Sequence, residues 1–159
     1  MSEGNAERLL ASEIAKQRSV LAELREELGK ALEQDLPKLG RTQRAAIMVA
    51  GIIESYYTCA ETVFLRISQF FENSLRPDRW HSDLLEHMTL EIAEVRPRVI
   101  SDESYSDLSE LMRFRHFKRY YFSLAYEWDR LDAVVGRLER VHPQLDAELA
   151  RFSSLLERL

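Results

Sequence analysis

Apolar residues recur along this chain at helical intervals, and the recurrence breaks in only a few places. Leu10, Ile14, Leu21, Leu24, Leu28 and Leu32 stand at steps of three, four or seven with charged residues between them, which predicts an amphipathic helix over roughly 6–34. Pro37 and Gly40 then punctuate the sequence. Ile47, Ala50, Ile53, Tyr57, Ala60, Phe64, Ile67 and Phe71 predict a second helix over roughly 41–73, expected to be the central and most buried one. By the same spacing Tyr56, Tyr57, Phe64, Phe70 and Phe71 are read mostly as core. Asn73, Ser74, Pro77 and Asp78 mark a loop. A short helix is expected over Trp80 to Ile92, closing before Arg96-Pro97 because a residue preceding proline disfavours the helical region.

Ser101, Asp102 and Ser104 offer N-cap candidates for a third long helix, expected to run to about Glu127. The last helix, roughly 129–158, carries Leu131, Val134, Leu138, Val141, Leu145, Leu149, Phe152 and Leu156, with a kink threatened at Pro143. Four long helices with short joints predict an all-α protein, an up-and-down four-helix bundle with a short extra helix between helices 2 and 3. No repeat, low-complexity tract or long linker divides residues 1–159, so a single helical domain is expected.

Composition agrees with helix. The chain has 159 residues, 45% apolar and 31% charged, with only five glycines and four prolines, enough to bury a real core. The single cysteine, Cys59, excludes an internal disulfide and a cysteine-based zinc site and suits a reducing compartment. The N-terminus lacks the basic-then-apolar pattern of a secretory signal. The longest apolar run, Ala45 to Ile53, reaches about half of the roughly 20 residues a membrane helix needs. A cytoplasmic protein without membrane contact is the expectation.

Charge changes the picture at residues 112–122, Met-Arg-Phe-Arg-His-Phe-Lys-Arg-Tyr-Tyr-Phe. Arg113, Arg115, Lys118 and Arg119 concentrate there although the whole chain carries −5. Arginine presents donors in a planar fork that suits phosphate, so a phosphodiester is the natural ligand of such a segment. On an ideal helix Arg113, His116 and Tyr120 share a face. Arg115, with Lys118 or Arg119, makes a neighbouring one, predicting a positive surface almost halfway round. The bland alternative is a solvated helix balanced by Glu110 and Glu127.

Other candidate chemistry is thin. His81 and His87 miss the i, i+4 spacing of a helical metal pair, although His87 and Glu91 have it, and no metal or cofactor is expected. Trp80 and His81 are read as pinning the inserted segment, and His142 beside Pro143 as a surface or bend residue. No Gly-rich phosphate loop and no patterned Ser or Cys nucleophile occurs. Tyr57 and Glu61 form an i, i+4 polar pair in which Glu61 could hold an arginine in place.

Several landmarks, in order, carry a resemblance. Tyr57-Thr58 followed by Glu61, then Trp80-His81 with Leu84-Leu85, Met88-Thr89 and Arg96-Pro97, then Phe114-Arg115-His116, Arg119 and Arg130-Leu131 resemble the HepT-like branch of the HEPN superfamily over roughly 45–155. That branch includes helical ribonuclease toxins encoded beside nucleotidyltransferase antitoxins. Its signature is Arg-x-x-x-x-His, often extended to Arg-x-x-x-x-His-x-Tyr with a polar residue after the Arg. Here Arg115 takes the Arg place and His116 the polar place, but Tyr120 stands at the His place and Phe122 at the final Tyr place.

The resemblance implies a metal-independent endoribonuclease of a toxin-antitoxin system. Arg115 would steady the scissile phosphate, and His116 and Tyr120 would line the site where a proton leaves the attacking 2'-hydroxyl. Arg113, Lys118 and Arg119 would position RNA, with Glu61 and Tyr57 in support. An unperturbed histidine titrates near 6.5 and a tyrosine near 10, so Tyr120 is a poor base unless nearby cations lower its pKa. Loss of general base assistance costs about 10² to 10⁴ in rate. The alternative is therefore a catalytically degenerate relative that binds RNA or a nucleotide, or serves as the partner-binding subunit of a nucleotidyltransferase pair. Where the family's partner enzyme adds AMP to the terminal Tyr, Phe122 has no hydroxyl, and Tyr121 or Tyr120 becomes the expected acceptor. A homodimer is implied, with two copies of the third helix forming one cleft.

Overall fold

Local chemistry sets the helix boundaries. A computed structural model describes residues 3–72, 80–121 and 125–158, with side chains described over 4–72, 83–117 and 125–158. Helix α1 spans Glu3–Lys30 and continues through a π-helical segment, Ala31–Asp35, into one further α turn, Leu36–Leu39. Pro37 has no N–H, and its ring crowds the carbonyl four residues back. The wider π turn, in which the Leu36 N–H reaches the Ala31 carbonyl, lets the chain stay helical through that proline. The helix ends at Gly40, whose φ of 73° is open to glycine and which donates to the Leu36 carbonyl at 2.8 Å.

Helix α2 spans Gln43–Phe71, N-capped by Thr42, whose hydroxyl accepts from the Ala45 N–H at 3.1 Å. Its inward face holds Ala46, Val49, Ala50, Ile53, Tyr56, Tyr57, Ala60, Phe64 and Ile67, so the expected central helix is the buried one. Two positions on the predicted apolar set differ, because Ile47 and Phe70 stand 37% and 38% exposed. Helix α3 is shorter than expected, Trp80–His87. The chain then turns back on itself, with Ile92 bridging Arg96 in antiparallel fashion and Glu94 at a φ of 64°.

Helix α4 spans Asp102–Tyr121 and α5 spans Trp128–Leu156. The expected extension of the third helix to Glu127 does not occur. Residues 125–127 are non-helical, held by the Gln43 side chain, which donates to the Tyr126 carbonyl at 2.8 Å and accepts from the Tyr126 N–H at 2.7 Å. A distant glutamine supplies two hydrogen bonds that a continuing helix would have supplied locally. Pro143 leaves the Glu139 carbonyl without its helical donor, yet α5 is helical throughout.

Cross-helix pairs fix the directions. Arg18 with Asp146 at 2.9 Å and Arg25 with Glu139 at 2.8 Å run α1 against α5. Arg137 and Arg140 with Asp107, and Gln144 with Ser101, run α4 against α5. The Gln43–Tyr126 clasp at one end and an Arg115–Glu61 pair further along run α2 against α4. Neighbours in the bundle therefore follow chain order, up and down, with α3 packed on α2 between the second and third long helices. Among the described residues there is no strand, and no helix is long and apolar enough to cross a membrane.

Candidate nucleic-acid interface on the basic helix

Buried charges tie the first half of α4 to α5, and this orients the basic helix. At the start of α4, Ser101 caps the helix by accepting from the Ser104 N–H at 3.2 Å. Glu148 of α5 accepts from the Ser101 N–H at 2.7 Å, the Ser101 hydroxyl at 3.1 Å and the Ser104 hydroxyl at 2.5 Å. One turn on, Asp107 is buried on α4 and takes hydrogen bonds from Arg137 and Arg140. Burial pushes its carboxyl pKa up, but the two guanidinium groups outweigh that and hold it below the usual carboxylate range. These ties set the rotation of α4 about its own axis.

With that rotation, Arg115 points into the protein. It is 3% exposed, and its two terminal nitrogens meet the Glu61 carboxylate fork to fork at 3.0 and 2.8 Å. The Thr58 hydroxyl lies 3.3 Å from Nη1, and the Tyr57 ring lies beneath the guanidinium at 4.6 Å. Burying an arginine requires such compensation, since an unpaired charge there costs several kcal/mol. Tyr57 and Glu61 thus surround Arg115 as their i, i+4 spacing suggested, and Thr58 joins them. Burial raises the Tyr57 phenol above its ordinary range, the Glu61 charge adds to this and Arg115 opposes it. Tyr57 stays protonated at neutral pH and acts as a surface for the cation.

The expected positive surface almost halfway round the helix needs correction. The Arg115 charge is inside and matched by Glu61, so it does not contribute to that surface. Arg113 and His116 are exposed on the outer side of α4, and Arg113 is paired with Glu110 one turn earlier, the balancing carboxylate of the solvated-helix alternative. The side chains of Lys118, Arg119, Tyr120 and Tyr121, and residue Phe122 as a whole, lie outside the described residues, as do the Trp80 and His81 side chains.

Two polar residues do more than their sequence context implied. Arg96, legible only as a landmark before Pro97, is buried and ties the connection after α3 to the end of α2. Its Nε donates to Glu72 at 2.6 Å, and its terminal nitrogens donate to the carbonyls of Leu90, His87 and Pro97 at 2.9, 2.9 and 3.1 Å. His142, expected at the surface or at a bend, is instead half-buried and shares a hydrogen bond of 2.9 Å with the Tyr56 hydroxyl. Burial is the main reason its pKa lies below the ordinary value. Among the described residues no cluster of three His, Cys, Asp or Glu is placed to hold a metal.

A family model described as HepT-like protein matches residues 48–156, more than half of the chain. No curated protein and no solved structure matches it.

Proposed function

The chain belongs to the HepT-like family of the HEPN superfamily, and from that footing we propose that it acts on RNA through α4, as a metal-independent endoribonuclease toxin paired with a nucleotidyltransferase antitoxin. The observation that carries this reading is the Arg115 assembly. The residue at the signature's Arg place is clamped by Glu61 and Thr58 over the Tyr57 ring, and His116 stands next to it on the exposed side.

In the proposed reaction the 2'-oxygen of the RNA attacks the adjacent phosphorus and the bond from phosphorus to the 5'-oxygen breaks. Arg115 would balance charge on the phosphate by turning part of its fork from Glu61 towards it. His116 or Tyr120 takes the 2'-hydroxyl proton, a 2',3'-cyclic phosphate forms, and the departing 5'-oxygen takes a proton from water and leaves as a hydroxyl. His116 precedes Tyr120 by one turn, roughly 6 Å along the axis, close enough to stand in for the missing histidine. Arg113, Lys118 and Arg119 would hold flanking phosphates. Two copies, joined along α4, would form one cleft whose facing cations the RNA backbone neutralises. Tyr121 or Tyr120 would accept AMP from the partner enzyme in place of Phe122.

A second reading is favoured by the depth of Arg115. A guanidinium with 4% of its side chain exposed and a carboxylate on its fork is well placed to brace the bundle and poorly placed to greet a phosphate. The chain would then bind RNA or a nucleotide without cutting it, or serve as the partner-binding subunit.

The two readings separate in one assay, cleavage of single-stranded RNA by the purified protein in chelator, beside folded Arg115→Ala and Tyr120→His variants. Cleavage by the wild type that disappears in Arg115→Ala supports the ribonuclease. A silent wild type and an active Tyr120→His variant support the degenerate site, and silence in all three removes the ribonuclease reading.

A further inference from the structure

One cavity adjoins the signature helix and has no part in the chemistry above. It lies where α4 leads towards α5, encloses about 300 Å³ and is walled by Phe114, Phe117, Ala125, Tyr126, Glu127 and Arg130. That volume is at the small end of ligand pockets, which run roughly 300–1,000 Å³, and it suits one ring system. The Phe114 and Tyr126 rings lie 6.1 Å apart, tilted by 34°. The Arg130 guanidinium lies 4.7 Å over the Phe117 ring, and Arg130 is exposed, so a flat partner can reach the cation's outer side. The Tyr126 hydroxyl is buried in a residue only 7% exposed and has no hydrogen-bond partner.

Phe114 and Phe117 flank Arg115 and His116 in the chain, so the cavity sits within about one helical turn, roughly 5 Å along the axis, of the proposed reaction site. Single-stranded RNA is recognised by splaying out bases that stack on aromatic rings and arginine planes and hydrogen-bond along their edges. We propose that this cavity is a nucleobase subsite, taking the unstacked base next to the phosphate at α4, with Phe117 and Arg130 as its stacking wall and the Phe114 and Tyr126 rings behind them. This rests on the RNA reading and adds the place where the chain grips a base.

The test is an abasic scan. A labelled single-stranded RNA is titrated with the full-length protein by fluorescence anisotropy, and each nucleotide in turn is replaced by an abasic one. One position should weaken wild-type binding roughly 5- to 150-fold, the range for one lost stacking contact. A folded Phe117→Ala variant should bind the intact and abasic RNAs equally. Uniform tolerance of abasic sites by the wild type, or the same loss in Phe117→Ala, overturns the subsite and leaves RNA binding standing. Failure to bind any RNA removes both.

Discussion

Arg115 is a buried guanidinium held on the Glu61 carboxylate, so Glu61 supports the fold as well as being a neighbour of the site. Breaking a buried pair by removing one member leaves the other charge uncompensated, at a cost of about 3–5 kcal/mol. Glu61→Leu and Arg115→Met should each lower stability by that order in urea denaturation, whereas the double variant should recover most of the loss, because two apolar side chains can replace a buried pair at little cost. Recovery of stability without recovery of RNA activity would separate the role of Arg115 in the site from its role in the core. His142 makes a second residue-scale prediction. Its folded pKa is depressed, mainly by burial beside Tyr56, while in the unfolded chain it titrates near 6.5. Between the two values the unfolded state binds the extra proton, so stability is full above about 6.5 and falls as pH drops through that window. Measured from about pH 7.5 to 5, the wild type should show this decline, and His142→Gln should lack it.

At the scale of elements, α5 carries Pro143 inside a continuous helix, exposed to solvent. Proline costs about 3 kcal/mol relative to alanine in a helix interior, and an exposed site offers little packing in return. Pro143→Ala should raise stability by about 1–3 kcal/mol, read from the shift in the denaturation midpoint; a fall would mean that the proline sets a bend the packing requires. The helices themselves were legible because their apolar spacing survives into the core, as with Leu10, Ile14, Leu21 and Leu28 on α1. Boundaries were legible only where the cause is local, as at Gly40. The non-helical stretch 125–127 was not, because Gln43, more than eighty residues away in sequence, holds the Tyr126 backbone there. The same limit hid the rotation of α4. A run of cations reads as a positive face, and nothing in the run reveals that Glu148 and Asp107 turn Arg115 inward. Glu61 was legible as an arginine's partner because its i, i+4 neighbour Tyr57 pointed to it; Arg96 was not, because its partners are mostly main-chain carbonyls.

At the scale of the molecule, an acidic chain of −5 gathers four cations between Arg113 and Arg119 in the second half of α4, of which Arg115 is turned inward onto Glu61 and Arg113 lies exposed beside Glu110. That asymmetry is what an RNA ligand requires, because counterion release makes phosphate contacts strong at low salt and weak at high salt. RNA engagement by α4 is common to the cutting reading and to the RNA-binding form of the non-cutting one, so it is the central claim. It is tested most directly by the affinity of the wild type for single-stranded RNA between about 50 and 200 mM salt, measured beside a variant carrying Arg113→Gln, Lys118→Gln and Arg119→Gln. The expected result is binding that falls steeply with salt, with the logarithmic slope shallower by about 2 in the variant, since each phosphate contact on a single strand contributes about 0.7. Absent or salt-insensitive binding, or an unchanged slope in the variant, would contradict it.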